Sequence, residues 1–271
     1  MINWYPGHIA KSKINIKKQL PFIDLVIEMV DARLPYTSHF EELDNLIKNK
    51  IKIMLLNKSD LADEKKIAYW LNFYKQKGIP SLSFSINDNN SINNLKACIK
   101  KQSDSVIEKL KQKGILRNAI RTIIVGIPNI GKSSLINKLV RKKVVSVANK
   151  PGLTRQTQWI RISKEIELMD TPGLFFPEIK NDEQKELQFI LIGSLPLERC
   201  DLWSTALNTI QLLKGLYPDF ICRELGESGS LELWGEKKNF KIKGNIVDKQ
   251  RTAKTFIQYL QNGKFGRFGF E

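Results

Sequence analysis

Long apolar runs and cysteine are both scarce in this 271-residue chain. No stretch approaches the roughly 18 consecutive apolar residues that a membrane-spanning helix needs, so we expect no membrane partner. The first residues hold no apolar run of signal-peptide length, so secretion is not expected either. The three cysteines, Cys98, Cys200 and Cys222, lie far apart and lack metal-ligand spacing. We expect free thiols in a cytoplasmic protein, with neither a disulfide scaffold nor a cysteine-based metal site.

Acidic residues are also under-represented. The 28 Asp and Glu residues stand against 44 Lys and Arg, which gives a formal net charge of +16 and a pI near 9.7. Such an excess favours a polyanionic partner such as nucleic acid, although an AT-rich genome would also raise the lysine content. The basic residues concentrate at residues 11–18, 141–164 and 237–267. Clusters of this kind indicate a nucleic-acid footprint rather than uniform compositional drift.

Strand-like apolar runs occur in the first part of the chain, at residues 25–32, 51–57, 81–85, 121–127 and 165–170. Their near-continuous apolar character is typical of strands that are buried on both faces. Helical patterns alternate with them, so the sequence predicts a doubly wound α/β domain with a mainly parallel sheet over residues 1–180. Residues 181–271 show helical patterns without a convincing strand and end in a loose, mobile segment. They are expected to form a small, basic, helical C-terminal domain that binds RNA.

The strongest motif is GIPNIGKS at Gly126–Ser133, which matches the phosphate-binding loop (P-loop) pattern GxxxxGK[ST]. It lies between a predicted strand and a predicted helix. Glycines let the backbone wrap closely around phosphate oxygens, which many N–H groups then contact. Lys132 is expected to reach the β- and γ-phosphates, and the Ser133 hydroxyl to ligate Mg²⁺. The predicted phosphate-binding residues are Asn129, Ile130, Gly131, Lys132, Ser133 and Ser134.

The sequence DTPG at residues 170–173 ends a predicted strand downstream of this loop. Asp170 is expected to hold Mg²⁺ through a water molecule, and the Gly173 N–H to contact the γ-phosphate. DTPG alone is a common turn sequence. Its place after a P-loop favours the metal-binding interpretation.

The sequence NKSD at residues 57–60 ends a predicted strand, and the tripeptide SIN at residues 85–87 ends the next one. The Asp60 carboxylate can accept hydrogen bonds from both the N1–H and the exocyclic amine of guanine, whereas adenine presents a bare acceptor at N1. The residues predicted to bind the guanosine part of GTP are Asn57, Lys58, Asp60, Ser85, Ile86 and Asn87.

The order of these motifs is unusual, because NKSD precedes the P-loop instead of following it. This order resembles that of the circularly permuted GTPases. The segments WYPGHIAK at residues 4–11 and DARLP at residues 31–35 resemble the WFPGHMAKA and DARxP signatures of the ribosome biogenesis GTPase A family (RbgA/YlqF). Residues 149–159 are similar to that family's first switch. The resemblance spans the predicted GTPase region, and over the helical C-terminal part it rests on length and character alone.

The resemblance implies GTP hydrolysis in late maturation of the large ribosomal subunit. Its partners would be GTP or GDP, ribosomal RNA and ribosomal proteins, and the free protein would be a monomer. Thr154 matches the family's Mg²⁺-binding switch threonine, with Thr157 as the competing candidate. Asn129 matches an asparagine associated with K⁺-stimulated GTPases, so K⁺ is a second candidate cofactor beside Mg²⁺.

The resemblance also bears on how the attacking water is placed. Leu174 stands where many small GTPases carry a water-orienting glutamine, and leucine cannot hydrogen-bond to water. In the family, the histidine of the PGH motif, here His8, is proposed for that role, and a structural cap is its alternative. The expected catalytic residues are His8, Lys132, Thr154 and Gly173.

Other functions remain open at this point. NKSD argues against a P-loop ATPase or kinase, and the intact P-loop argues against an RNA-binding protein with a decayed nucleotide site. A membrane-associated GTPase would need a spanning or lipidated segment, which the sequence lacks. The main alternative is a GTP-regulated protein that acts on another structured RNA.

Several residues have simpler explanations than catalysis. Asp31 and Arg33 are expected to fix a strand-to-loop turn through a salt bridge or hydrogen bond. His39 has no motif around it and is expected to be an ordinary surface residue. Four tryptophans are expected to be packing residues rather than base-stacking platforms: Trp70, Trp159, Trp203 and Trp234. The phenylalanines of the C-terminal tail fit either a core or RNA contacts.

Overall fold

The computed structural model describes residues 14, 16–47, 50–112, 114, 119–140, 158–163, 166–170 and 182–271. These residues fall into two compact units. The first contains the described residues up to 170 together with Glu271, and the second contains residues 182–270.

The first unit is an α/β fold. Its elements follow one another as β1 (Leu25–Asp31), α1 (Glu41–Ile47), β2 (Ile51–Asn57), α2 (Glu64–Gln76), β3 (Ser81–Phe84), α3 (Asn89–Gln112), β4 (Ile120–Gly126), α4 (Lys132–Val140), β5 (Gln158–Arg161) and β6 (Ile166–Asp170). The sheet order is β3-β2-β1-β4-β6-β5. All neighbours pair in parallel except β5, which runs antiparallel to β6 at the edge. The doubly wound, mainly parallel sheet is therefore confirmed.

The apolar runs form strands because both faces of the sheet are covered. Every residue of β1 is buried, as are six of the seven residues of β2. Helix α2 begins at a capping residue, Asp63, whose carboxylate accepts hydrogen bonds from the backbone N–H groups of Lys65 (2.8 Å) and Lys66 (3.3 Å). The five predicted strands are all present within a residue or so at each end. The edge strand β5 was not predicted, because four residues are too few to show a clear alternation.

Four ionisable side chains form a cluster beside β1, β2 and α1. They are Glu28 of β1, His39, Asp44 of α1 and Lys52 of β2. His39 Nδ1 lies 2.8 Å from Glu28 Oε1, and His39 Nε2 lies 3.3 Å from Asp44 Oδ2. Lys52 Nζ lies 2.7 Å from Glu28 Oε2 and also pairs with Asp44. Burial alone would lower the pKa of His39, but the hydrogen bonds to Asp44 and Glu28 outweigh it and raise that pKa to about 9.

The prediction that His39 is an ordinary surface residue is therefore wrong. Its side chain is 10% exposed and carries a positive charge at neutral pH. The side chains of His39 and Lys52 both contact the carboxylates of Glu28 and Asp44. These carboxylates belong to different elements, so the sequence around His39 gives no sign of the cluster. The ammonium group of Lys52 already neutralises the oxygens that a metal ion would need.

The second unit is mainly helical. It contains α5 (Glu183–Leu191), α6 (Leu202–Leu216), α7 (Pro218–Leu225), α8 (Leu231–Lys237), β7 (Lys241–Ile242), β8 (Ile246–Val247) and α9 (Lys249–Gln261). Side-chain caps begin several of these helices, as at Asp201, whose carboxylate accepts from the N–H groups of Trp203 and Ser204. Trp234, at 2% exposure, lies in the core, with the rings of Phe256 and Phe265 5.5 and 5.9 Å away.

The expectation that this part holds no strand is wrong, because β7 and β8 form a short antiparallel hairpin. The turn between them spans residues 243–245 and includes Gly244 (φ +89°) and Asn245 (φ +61°), two residue types that tolerate positive φ. Strands of two residues are too short for a periodic signal. The Gly-Asn pair between isoleucines was the available sign.

The expected loose C-terminal end is also wrong, because the last residues pack into the core of this unit. Phe268 and Phe270 are 3% and 2% exposed. The Tyr217 hydroxyl accepts from the Gly269 N–H at 2.8 Å, and Gln188 Nε2 donates to the carbonyl oxygen of Phe270 at 2.9 Å. Phe268 and Phe270 are therefore core residues, and the half-buried Phe265 packs against the rings of Phe220 and Phe256. The glycines between the phenylalanines had suggested a loose end.

Three further expectations concern the cysteines, membrane-spanning helices and tryptophans. Cys98, Cys200 and Cys222 are free thiols, as expected. No helix in the part of the chain that the structure describes is long and apolar enough to span a membrane. Of the four tryptophans that were expected to be packing residues, Trp159 departs from expectation, because it is 42% exposed. The guanidinium carbon of Arg121 lies over its indole ring, 5.1 Å from the ring centre.

Candidate functional site

The carboxyl ends of four parallel strands bring the predicted motifs to one edge of the sheet. In register, Asp31 of β1 lies beside Asn57 of β2, and Asn57 lies beside Phe84 of β3. On the other side of β1, Met29 lies beside Gly126, where the P-loop begins. The strand order reverses between β1 and β4, and such a switch point is where open α/β sheets bind their ligands.

The P-loop connects β4 to α4, and two of its glycines are required by close contacts. A Cβ at Gly126 would lie 2.5 Å from the carbonyl oxygen of Met29. A Cβ at Gly131 (φ +104°) would lie 2.7 Å from Asn57 Nδ2. Asn129 adopts a left-handed conformation (φ +57°), which asparagine tolerates better than most residues. The loop is thereby wrapped tightly before the helix begins.

Lys132 is the first residue of α4 and is 8% exposed. Its ammonium group donates to the carbonyl oxygens of Gly126 and Ile127, each at 2.9 Å, so it lies within the turn of the P-loop. The partly buried Ser133 and Ser134 follow in the first turn of α4. A helix amino terminus directs N–H groups and partial positive charge outward, so this turn is suited to phosphate.

NKSD is joined to the P-loop through Asn57. The side-chain amide of Asn57 donates to the carbonyl oxygen of Ile130 in the P-loop. Its own Oδ1 atom is buried and has no hydrogen-bond partner among the described residues. The motif that is predicted to read the base is therefore linked directly to the loop that is predicted to hold the phosphates, although 73 positions separate the two residues.

After Asn57 the chain turns out of the sheet and exposes Asp60. Lys58 adopts a left-handed conformation (φ +59°), and a short 3-10 turn, Ser59–Leu61, carries the exposed Asp60. The SIN tripeptide follows the neighbouring β3, with Ser85 buried and Asn87 exposed. A carboxylate in this place is free to meet the edge of a base, in keeping with the predicted role of Asp60.

The DARLP segment contacts NKSD directly, which the sequence did not predict. The predicted ion pair between Asp31 and Arg33 is present, with Arg33 Nε 2.8 Å from Asp31 Oδ1. The same carboxylate also lies 3.2 Å from Lys58 Nζ. Burial alone would raise the pKa of Asp31, but the charges of Arg33 and Lys58 outweigh it and hold that pKa below its usual value. The contact arises because β1 and β2 are parallel neighbours, so the two motifs that follow them lie side by side. A prediction that these two strands pair would have revealed it.

Five residues named in the sequence predictions fall in other parts of the chain. His8, Thr154, Thr157, Gly173 and Leu174 lie outside the described residues. The backbone of Asp170 ends β6, which pairs with β4, so that end of the strand lies at the same edge of the sheet as the P-loop. The roles proposed for these residues, and for those of the P-loop and NKSD, stay predictions.

Together, the sheet order, the P-loop after β4 and the NKSD segment after β2 define a circularly permuted P-loop GTPase. Comparison with known proteins agrees. The model of a family described as 50S ribosome-binding GTPase matches residues 121–214.

Similarity to individual proteins extends over nearly the whole chain. A ribosome biogenesis GTPase A from Bacillus cereus is 34% identical over 279 residues, which cover 100% of this chain and 94% of that protein. GNP-bound YlqF from T. maritima superposes with a TM-score of 0.68 at 28% identity, over 96% of this chain and 97% of that one. A GDP-bound YlqF structure gives the same TM-score over 95% and 98%. The chain belongs to the ribosome biogenesis GTPase A family.

Proposed function

We propose that this protein is a GTP-hydrolysing assembly factor that acts in late maturation of the large ribosomal subunit, as a nucleotide-controlled binding switch. The convergence of the P-loop and NKSD at one sheet edge carries the nucleotide part of the proposal. The names of the relatives support the ribosomal part, since they are ribosome biogenesis GTPases, and the matching family is described as 50S ribosome-binding. These names do not favour a different structured RNA as the target.

In this proposal each motif has one task. Asp60 reads guanine, with Asn57, Lys58 and the SIN tripeptide around it. The P-loop N–H groups and Lys132 hold the β- and γ-phosphates. Gly173 contacts the γ-phosphate through its N–H, and Thr154, or Thr157 in its place, closes the first switch over it.

Mg²⁺ is the cofactor that fits these residues. It prefers oxygen ligands and is usually held by one or two protein oxygens together with phosphates. Ser133 offers a hydroxyl in the first turn of α4, and Asp170 ends a strand at the same edge of the sheet. When bound, the ion would neutralise charge on the phosphates. Asn129 and K⁺ form a second proposed pair, supported by the left-handed, exposed position of Asn129 in the P-loop.

The basic second unit supplies a surface for RNA. Between residues 237 and 267 there are nine basic residues and one acid, Asp248, which caps α9 by accepting from the Arg251 N–H. All nine basic side chains are exposed. The β7–β8 hairpin also exposes Ile242 and Ile246, at 53% and 61%. We therefore assign GTP binding to residues 1–180 and ribosomal RNA contacts to residues 181–271. The proposal also takes the protein to be cytoplasmic, and monomeric when it is free.

The large subunit is expected to accelerate hydrolysis by orders of magnitude. Leu174 cannot orient the attacking water, so the site of the free protein is incomplete. His8 belongs to a basic amino-terminal segment that phosphate contacts would fix, and such positioning greatly raises rates. Single-turnover GTP hydrolysis would be measured with and without purified large subunits, for wild type and His8→Ala, at two salt concentrations.

Small subunits and transfer RNA are the controls, because each offers structured RNA without the proposed target. Stimulation by the large subunit alone, weakening as salt rises, is the expected result. Equal rates with and without large subunits would refute the proposal, and equal stimulation by transfer RNA would favour another structured RNA. Full stimulation of His8→Ala would remove His8 from the mechanism and leave the ribosomal role standing.

A further inference from the structure

Asp31 and Arg33 form a buried charge pair where β1 ends. Arg33 donates from Nε to one carboxylate oxygen of Asp31 at 2.8 Å and from Nη2 to the other at 2.9 Å. The backbone N–H of Arg33 adds a third hydrogen bond at 3.1 Å. Asp31 is 0% and Arg33 1% exposed. Because the guanidinium grips both oxygens, the orientation of the carboxylate is fixed.

The same carboxylate holds the lysine of NKSD. Lys58 Nζ lies 3.2 Å from the Asp31 oxygen that Arg33 Nη2 also contacts. Nearby, the Ala32 N–H donates to the carbonyl oxygen of Asn57 at 2.7 Å, so the two segments are joined by backbone as well. Lys58 is therefore anchored at both ends, by its backbone at the end of β2 and by its ammonium at Asp31.

The conformation of Lys58 determines where Asp60 lies. The left-handed backbone of Lys58 (φ +59°) starts the short turn that carries Asp60. The Leu61 N–H closes this turn by donating to the carbonyl oxygen of Lys58 at 2.9 Å. A non-glycine residue in this region costs free energy, so the surrounding contacts must hold it there. The bond to Asp31 is one of those contacts.

Stability alone is a poor explanation for this arrangement. Buried ion pairs contribute little net stability, since the cost of removing both charges from water offsets their attraction. Here the side chains of Arg33 and Lys58 both contact the single buried carboxylate of Asp31, so two cationic groups are wholly or partly removed from water beside it. Burial lowers the pKa of Lys58, and the charge of Asp31 opposes that fall. What the arrangement supplies in return is a fixed lysine beside the base-reading loop.

We propose that the Asp31–Arg33 pair is a positioning device for guanine recognition, which fixes Lys58 and thereby presents Asp60 to the base. This inference rests on the proposed role of Asp60. Asp31 and Arg33 act through Lys58 and are positioning residues rather than catalytic ones. Guanine specificity should therefore depend on a buried pair that belongs to a different motif.

Inosine diphosphate provides the discriminating probe. It keeps the N1–H of guanosine diphosphate but lacks the exocyclic amine, so the ratio of the two Kd values reports how well Asp60 is placed. Asp31→Asn keeps the shape of the side chain and removes its charge. We expect the preference for guanosine over inosine diphosphate to fall roughly tenfold. General damage to the site would weaken the binding of both nucleotides equally and leave the ratio of their Kd values unchanged.

Two comparisons separate positioning from general damage. Asp44→Asn is the matched control, because Asp44 also pairs with a lysine of the first unit but has His39 and Lys52 as its described partners. It should leave the ratio unchanged, whatever it does to the melting temperature. If Asp31 acts through Lys58, the double variant Asp31→Asn/Lys58→Met should lose no more of the preference than Lys58→Met alone.

A wild-type ratio in Asp31→Asn would overturn the proposal, as would an equal fall in Asp44→Asn. Should Asp31→Asn not fold, Arg33→Lys takes its place. It keeps the charge but loses the two-pronged grip, and an unchanged ratio would again overturn the idea. Failure of the underlying site is a separate outcome: Asp60→Asn would then leave the ratio unchanged, or the wild type would bind adenosine and guanosine diphosphates equally.

Discussion

Replacing Lys132 with alanine is expected to slow GTP hydrolysis by at least about 100-fold, the scale on which removal of one preorganised donor acts. The ammonium of Lys132 lies within the P-loop, on the carbonyl oxygens of Gly126 and Ile127, where phosphates would bring negative charge. The substitution removes a full positive charge from the P-loop. That charge stabilises the transition state of hydrolysis more than it stabilises bound GTP, so its loss lowers the rate. Single-turnover hydrolysis of radiolabelled GTP would measure the loss.

The matched control for Lys132→Ala is Lys138→Ala, on the exposed face of the same helix α4. It should hydrolyse GTP at the wild-type rate. Melting curves of both variants are needed, because Lys132→Ala also removes two hydrogen bonds, worth roughly 1 kcal/mol each. A folded Lys132→Ala variant that turns over at the wild-type rate would refute the P-loop assignment.

Asp60→Asn is expected to weaken GTP binding by roughly 2–4 kcal/mol, because the substitution replaces an acceptor oxygen with an amide donor that faces the amine of guanine. Binding of xanthosine nucleotides should strengthen at the same time, since xanthine carries an oxygen where guanine carries the amine. Asp60 is exposed at the end of the turn that follows β2, so the substitution should not disturb the core. Competition against a fluorescent guanine nucleotide measures both effects.

A suitable control for Asp60→Asn is Asp104→Asn, an exposed acid on α3. It should bind GTP as the wild type does. If wild-type protein bound ATP as tightly as GTP, or if Asp60→Asn kept full GTP affinity, Asp60 would not be the base-reading residue.

Much of the first unit could be predicted because its signals are local. Strands β1, β2 and β4 are apolar over nearly their full length, since helices cover both faces of a parallel sheet. A Cβ at Gly126 would clash with the backbone of Met29, and a Cβ at Gly131 would clash with the side chain of Asn57. These requirements fix the spacing of the P-loop glycines, so the motif can be recognised from the sequence. Parallel strands then bring the ends of β1, β2 and β4 together at one edge.

What could not be predicted depends on contacts between distant residues. His39 gains its raised pKa from Glu28 and Asp44, which belong to other elements. Phe268 and Phe270 become core residues because Tyr217 and Gln188 meet the tail. The interaction of Asp31 with Lys58 requires β1 and β2 to be neighbours, and no local pattern states which strands pair.

The proposed function requires that guanine nucleotides control the binding of this protein to the large ribosomal subunit. Co-sedimentation of the full chain with purified large subunits tests it most directly, with a non-hydrolysable GTP analogue in one sample and GDP in another, and small subunits as the control. The protein should sediment with large subunits in the presence of the analogue and remain in the supernatant with GDP. Equal sedimentation with both nucleotides, or equal binding to small subunits, would contradict nucleotide-controlled binding to the large subunit.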